Sequence, residues 1–320
     1  KDISNWNINK ATDMSGMFMF SKFNTDISNW NVSNVVDMNN MFMFSKFNNN
    51  ISKWDISNVT NMESMFRGST FTGDISQWNV SNVINMNNIF SWSLFNGNID
   101  NWNVSNVTTM ESMFEGSVFN KDISNWNVTN VTNMGGMFMR SIFNKDISTW
   151  NVSNVTDMTG MFLCSKFNKD ISTWNVSNVT YMIGMFLQSI FNKDISNWNV
   201  SKVHNNEGIF VDCSLEHQEN KQPKFNNIIK PKTKLELQQI IQEHIEQKGL
   251  NCDLNDIDVS EITDMGFLFN NSKFNGDISR WDVSNVTNME SMFSWSKFIG
   301  DISKWDVSNV TDMTNMFSNS

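Results

Sequence analysis

A single spacing constrains this chain more than any other feature. Tryptophan recurs at Trp6, Trp30, Trp54, Trp78, Trp102, Trp126, Trp150, Trp174 and Trp198, every 24 residues without a slip, and the spacing resumes at Trp281 and Trp305. Self-similarity at a fixed period of roughly 20–50 residues marks a repeat array, in which each unit packs only on its neighbours. Length then sets the number of rungs, and domain boundaries are read from breaks in the period.

Counting each unit from its Asp, as in the stretch that starts at Asp26, apolar residues fall at position 2 (Ile27), 5 (Trp30), 7 (Val32), 10 (Val35), 13 (Met38), 16 and 17 (Met41, Phe42) and 22 (Phe47). Positions 5 and 7 alternate as a strand does, whereas 10, 13, 16 and 17 are spaced as a helix face is. Each rung is therefore expected to hold a short parallel β-strand and a short helix, giving an α/β repeat solenoid. Thr60-Asn-Met-Glu63, Thr108-Thr-Met-Glu111 and Thr287-Asn-Met-Glu290 read as capping boxes that start such helices. Polar turns such as Phe-Asn-Lys-Asp at 143–146 and Phe-Asn-Gly-Asp at 274–277 return the chain to the next strand. One rung has too few apolar side chains to offset the ordering of its own backbone, so rungs must stack and array ends need caps.

The period breaks once. After Phe210 it gives way to a polar stretch, and both prolines, Pro223 and Pro231, lie in the break. Thr233-Lys-Leu-Glu236 is a further capping box, and Leu237, Ile240, Ile241, His244 and Ile245 share one face of a helix that runs to Lys248 and stops at Gly249. The rung that starts at Asp253 keeps the register but carries Ile257 in the Trp slot, as array ends do. The expected organisation is a first array at 1–213 of about nine rungs, a linker at 214–230, an amphipathic cap helix at 231–252, and a second array at 253–320 of about three rungs.

With 26 Phe, 23 Met and 13 Trp the chain has enough apolar bulk for a continuous core. The net charge of −10 comes with no basic stripe, which argues against nucleic acid and against anionic membranes as partners. No apolar run approaches the roughly 20 residues of a membrane span. The chain opens and closes in mid-repeat, so both ends are expected to be truncated, and the lack of a leader says nothing about secretion. Cys164, Cys213 and Cys252 are odd in number and far apart, and they read as free thiols, with Cys213 standing where other rungs have Ser. Free thiols fit a reducing site of assembly slightly better than an oxidising one.

The segment Ile-x-x-Trp-x-Val-x-x-Val has the spacing of the leucine-rich-repeat consensus. The fuller repeat, as in Asp-Ile-Ser-Thr-Trp-Asn-Val-Ser-Asn-Val-Thr-Asp-Met-Thr-Gly-Met-Phe at 146–162, resembles that of the BspA-like leucine-rich-repeat surface proteins, known from mycoplasma-type lipoproteins and giant-virus genomes. The stretch 232–241 followed by 253–260 resembles the segment that opens arrays in that family. The family repeat is usually one residue longer, with Gly-Ala and Ser before Phe-Asn, a departure that changes the turn and not the core. The resemblance implies a leucine-rich-repeat-like fold and a non-catalytic protein of adhesion or outer-layer assembly at a cell or virion surface. Its implied partners are another protein or neighbouring copies in a surface layer. The Asn-, Lys- and Ile-rich wording suits an AT-rich genome.

No residue stands out as catalytic and no cofactor is expected. His204, His217 and His244 belong to no repeated constellation, and no nucleophile elbow, phosphate loop or zinc-type spacing occurs. Asp at position 1 and Asp or Asn at position 12 form two columns, readable as calcium ligands or as turn caps; Asn50, Asn98, Thr109 and Tyr181 interrupt them, and no metal site is assigned. Asn-Val-Ser and Asn-Val-Thr sequons, as at Asn31 and Asn58, are expected from composition alone.

Two binding surfaces remain. Positions 4 and 6 point out from the expected strand and build a polar face of Asn29, Asn31, Lys53, Asp55, Gln77, Asn79, Asn101, Asn103, Asn125, Asn127, Thr149 and Asn151, the counterpart of the concave sheet on which leucine-rich repeats bind. The alternative to a structural or adhesive role is a receptor-like module that uses this face. Positions 18 and 19 carry the most variable apolar residues, Met19, Phe20, Met43, Phe44, Trp92, Met139, Leu163, Leu187 and Trp295, as a candidate docking patch. Arg67-Gly68 and Glu115-Gly116 occupy the same sites elsewhere, so these side chains either dock a partner or lie back over their own rung.

Overall fold

The computed structural model of the protein describes residues 2–225 and 229–320. They divide into two compact units, Lys1–Phe225 and Asn226–Ser320.

In the first unit the rungs stack in strict register through one column of single-residue parallel bridges. Asp13, Asp37, Asn61, Asn85, Thr109, Asn133, Asp157, Tyr181 and Asn205, all at position 12, each bridge to the next. Beyond the bridge, alternate N–H groups cross between rungs: Met38 donates to the Asn61 carbonyl at 3.0 Å, Asn40 to Glu63 at 2.8 Å, Phe42 to Met65 at 2.9 Å and Phe44 to Arg67 at 2.7 Å. The intervening N–H groups turn inward to their own rung, Met41 to Met38, Met43 to Asn40 and Ser45 to Phe42.

This pattern displaces the expected rung helix. An α-helix needs successive N–H groups to reach the carbonyl four residues back, whereas here every second one leaves the rung. Positions 15 and 19 also adopt left-handed φ, as at Asn40 (55°) and Phe44 (52°), which a right-handed helix does not tolerate. Among the described residues the rungs contain no α-helix; the three-and-four spacing comes from consecutive tight turns that bring the same residues inward. The expected capping boxes are correspondingly not caps. The Thr60 hydroxyl donates to the Val36 carbonyl of the preceding rung, the Glu63 N–H to Asn61 Oδ1, and the Glu63 carboxylate accepts from Asn85. Thr108 and Thr287 likewise reach back one rung.

The expected strand is a pair of turns. Trp30 N–H donates to Ile27 and Val35 N–H to Val32. Burial still alternates, with Trp30 and Val32 inside and Asn31 outside. On this side the cross-rung contacts come from side chains: the Trp54 indole donates to the Ile27 carbonyl at 3.2 Å and Asn58 Nδ2 to the Ser33 carbonyl at 2.7 Å, and both bonds recur down the stack. All eight apolar positions of the Asp26 rung are buried. Phe42, Phe66 and Phe90 stack with ring centroids 5.6 and 5.9 Å apart, continuing a column along the unit.

Residues 214–225, within the expected linker, belong to the first unit. Leu215 is fully buried, the Lys221 carbonyl accepts from Ile195 at 2.9 Å, and Phe225 packs on the core. Residues 226–228 of the expected linker lie outside the described residues, while Ile229 bridges Ile257 in the second unit.

The second unit starts with helix α1, Lys234–Lys248, whose Thr233 hydroxyl accepts from the Glu236 N–H at 3.2 Å. Leu237, Ile241 and His244 are its buried residues, and Leu237 and Ile241 share one core with Leu254, Ile257 and Val259 of the first rung. The rungs that follow bridge at Asp264, Asn288 and Asp312 in the register seen in the first unit.

Candidate functional site

The site follows from what position 15 does to the surface. Its φ is left-handed in every rung of the first unit, between 52° and 63°, yet the residue differs: Asn40, Ser64, Asn88 and Ser112 in four rungs, Gly136, Gly160, Gly184 and Gly208 in the next four. Glycine adopts this conformation without steric penalty and Asn is the side chain that tolerates it best. Packing does not demand the glycines. A Cβ on Gly160 or Gly184 would meet only Leu163 and Leu187 carbons at 3.6–3.8 Å, and one on Gly208 would meet nothing within 4 Å. Only Gly136 is tight, with Ser112 Oγ at 2.8 Å from such a Cβ.

Four successive missing side chains leave an open groove of about 550 Å³. Gly136, Gly160, Gly184 and Gly208 floor it, Met139, Leu163 and Leu187 from position 18 wall it together with Ile183, and Glu111, Asp157 and Glu207 are the acidic residues of its lining. The structure thus gathers three residues of the sequence-derived apolar patch into one recess. The glycine column and Ile183 escaped sequence reasoning; the signal was present as Met-x-Gly-Met repeated at 134–137, 158–161 and 182–185.

The rest of the patch is arranged differently. Phe20 and Phe44 stack with centroids 5.2 Å apart and lie open to solvent, Phe20 by 64%. The Phe44 ring lies against Gly68 and the Trp92 ring against Gly116, each so close that an added Cβ would overlap it. These aromatics therefore rest on the following rung. Met19 is exposed and Met43 half-buried, and Trp295 is exposed in the second unit.

All twelve polar-face residues, from Asn29 to Asn151, are exposed. Several of their polar groups are already engaged: Asn31 Oδ1 accepts from the Ser33 N–H and hydroxyl at 3.1 and 2.7 Å, and the Thr149 hydroxyl donates to Ser124. The position 1 and 12 carboxylates act as turn caps, Asp26 accepting from Ser28 N–H and Asp37 from Asn39 N–H, both at 2.8 Å. The Ser28 N–H, helped by its hydroxyl, holds the Asp26 carboxyl below the ordinary range. Among the described residues no group of three or more His, Cys, Asp or Glu is placed to hold a metal ion.

The histidines and cysteines are scattered. His217 is exposed, His204 half-buried, and His244 sits between the Ile240 carbonyl and Asp256, at 2.9 and 3.1 Å. The three thiols are free; Cys213 nestles against Ser189 and the Phe191 carbonyl, and burial pushes the Cys252 thiol up.

The same buried positions, repeated in a register of 24 and bridged rung to rung, define a repeat protein. Four segments, 1–93, 68–166, 140–248 and 241–320, match the family described as Mycoplasma protein of unknown function, DUF285, and the chain belongs to that family. No curated protein and no solved structure matches the chain. No described helix is long and apolar enough to cross a membrane.

Proposed function

We propose that this is a non-enzymatic surface protein, a solenoid of the BspA-like leucine-rich-repeat kind, with a structural or adhesive protein–protein interaction role at a cell envelope or on the outside of a virus particle. The observation that carries this reading is the apolar surface at positions 18 and 19. Trp92 is 47% exposed at a left-handed φ of 55°, a conformation that bulky residues rarely adopt. Exposed apolar side chains held at fixed spacing are suited to a partner that covers them. The membership in a mycoplasma-type repeat family is in keeping with a surface location. Labelling intact producing cells or particles with a membrane-impermeant amine reagent tests the reading: the protein's lysines are expected to be modified, and labelling only after lysis would overturn it.

A further inference from the structure

We infer that the glycine-floored groove of the first unit takes a polypeptide segment in which aliphatic side chains are flanked by lysine or arginine. The inference rests on the protein-binding role proposed above and names the chemistry of its partner. Along most of the floor the backbone donors are already engaged: the N–H groups of Gly136, Gly160 and Gly184 donate to the Thr159, Ile183 and Glu207 carbonyls at 2.7, 2.8 and 2.8 Å. Recognition there falls to apolar contact with Met139, Leu163 and Leu187, walls that suit an aliphatic chain.

Charge then selects the kind of chain. Glu111, Asp157 and Glu207 stand in the lining, and no lysine or arginine does. Among the described residues none of these three carboxylates is ion-paired with a lysine or arginine, whose ion pairs lie in the second unit. Asn133 reaches Glu111 at 3.3 Å and the Thr159 N–H reaches Asp157 at 2.8 Å, but neither contact neutralises the charge. An acyl carboxylate or a lipid phosphate would enter against three anions on a chain of net charge −10. A cationic side chain beside an aliphatic one meets complementary groups at both points.

The recess is also a matter of residue choice. Rungs with Asn40 and Asn88 at the same position keep the same backbone, at φ 55° and 56°, and carry a side chain where the groove has none. This supplies a substitution that fills the groove and keeps the fold. A short fluorescent peptide of alternating lysine and leucine would be titrated against the whole chain, against Gly160→Asn/Gly184→Asn, against Glu111→Gln/Glu207→Gln, and against Gly16→Asn, which alters the same position outside the groove. Binding is expected to weaken about tenfold or more with the double asparagine variant, to lose part of its salt dependence with the glutamine pair, and to stay unchanged with Gly16→Asn. Equal binding by the double asparagine variant would overturn the assignment, because the peptide would then be reading net charge elsewhere. Tighter binding of a glutamate–leucine peptide, or of a zwitterionic lysolipid, would overturn the partner chemistry while leaving a binding role in place. Failure of the surface-labelling experiment would remove that role without altering these titrations.

Discussion

The two units solve one problem, holding a short rung in place, by different means. In the first unit each rung finds its partners in a copy of itself. The Trp indole, the Asn side chain at position 9 and alternate backbone N–H groups each meet a carbonyl at a fixed position of a neighbouring rung. No lysine or arginine ion pair is used there among the described residues. The second unit has to join a helix to a rung, and the two share no register. There the junction carries Lys230 with Asp258 and Glu261, Lys232 with Glu261, Lys234 with Asp264, and Asp256 between His244 and Lys248, at 2.8–3.3 Å. Neutral ladders suffice where geometry repeats; where it does not, individual charged side chains define the fit.

The largest expected effect breaks the ladder at its middle. Phe114→Ala removes a fully buried ring stacked between Phe90 and Phe138, and should destabilise the first unit by about 3–5 kcal/mol. Denaturant unfolding followed by hydrogen exchange should show the loss in the rungs around residue 114 and none in α1; a matching loss in α1 would show that the units do not unfold separately. Leu237→Ala is the converse test. It should cost about 2–4 kcal/mol in the second unit and free α1 to exchange, with the first unit's protection unchanged.

Much of this was legible beforehand, and the misreadings have a physical cause. The eight inward positions follow from hydrophobic spacing alone, because any rung that stacks must turn those side chains inward. The conformation between them does not follow. A step of three or four is shared by a helix face and by consecutive turns, and Asn40 or Phe44 shows no outward sign of a left-handed φ until its N–H is seen to leave the rung. Helix α1 was readable because Thr233 and Gly249 bracket a stripe long enough to exclude that alternative. On the surface, positions 18 and 19 drew notice through their variability. The glycine column did not, since glycine beside Asn and Ser looks like ordinary turn chemistry until the φ they share is known.

Acid sharpens the comparison by a smaller amount. Burial works to raise the Asp256 carboxyl, but hydrogen bonds from Lys248 and His244, with their charges, outweigh it and the net shift is downward. A carboxyl lowered on folding stabilises above its unfolded value and loses that contribution as pH falls through the folded one. The second unit should therefore weaken by about 1 kcal/mol or less below about pH 4, given the solvent screening of a partly exposed pair. Asp256→Asn should flatten that part of the profile in denaturant midpoints measured against pH. Smallest of all, Asn31→Ala and Asn79→Ala on the polar face should change first-unit stability by less than about 0.5 kcal/mol and leave peptide binding in the groove unaltered.

The left-handed residue at position 15 has a consequence for how such a chain can diversify. Its backbone angle is set by the stack, so exchanging Asn or Ser for Gly changes the surface without changing the register or the core. A recess can be lengthened, shortened or moved along the protein in whole-rung steps, each needing one codon. Descendants of a common ancestor can thus share every buried residue and still present trenches of different length and location to the molecules around them.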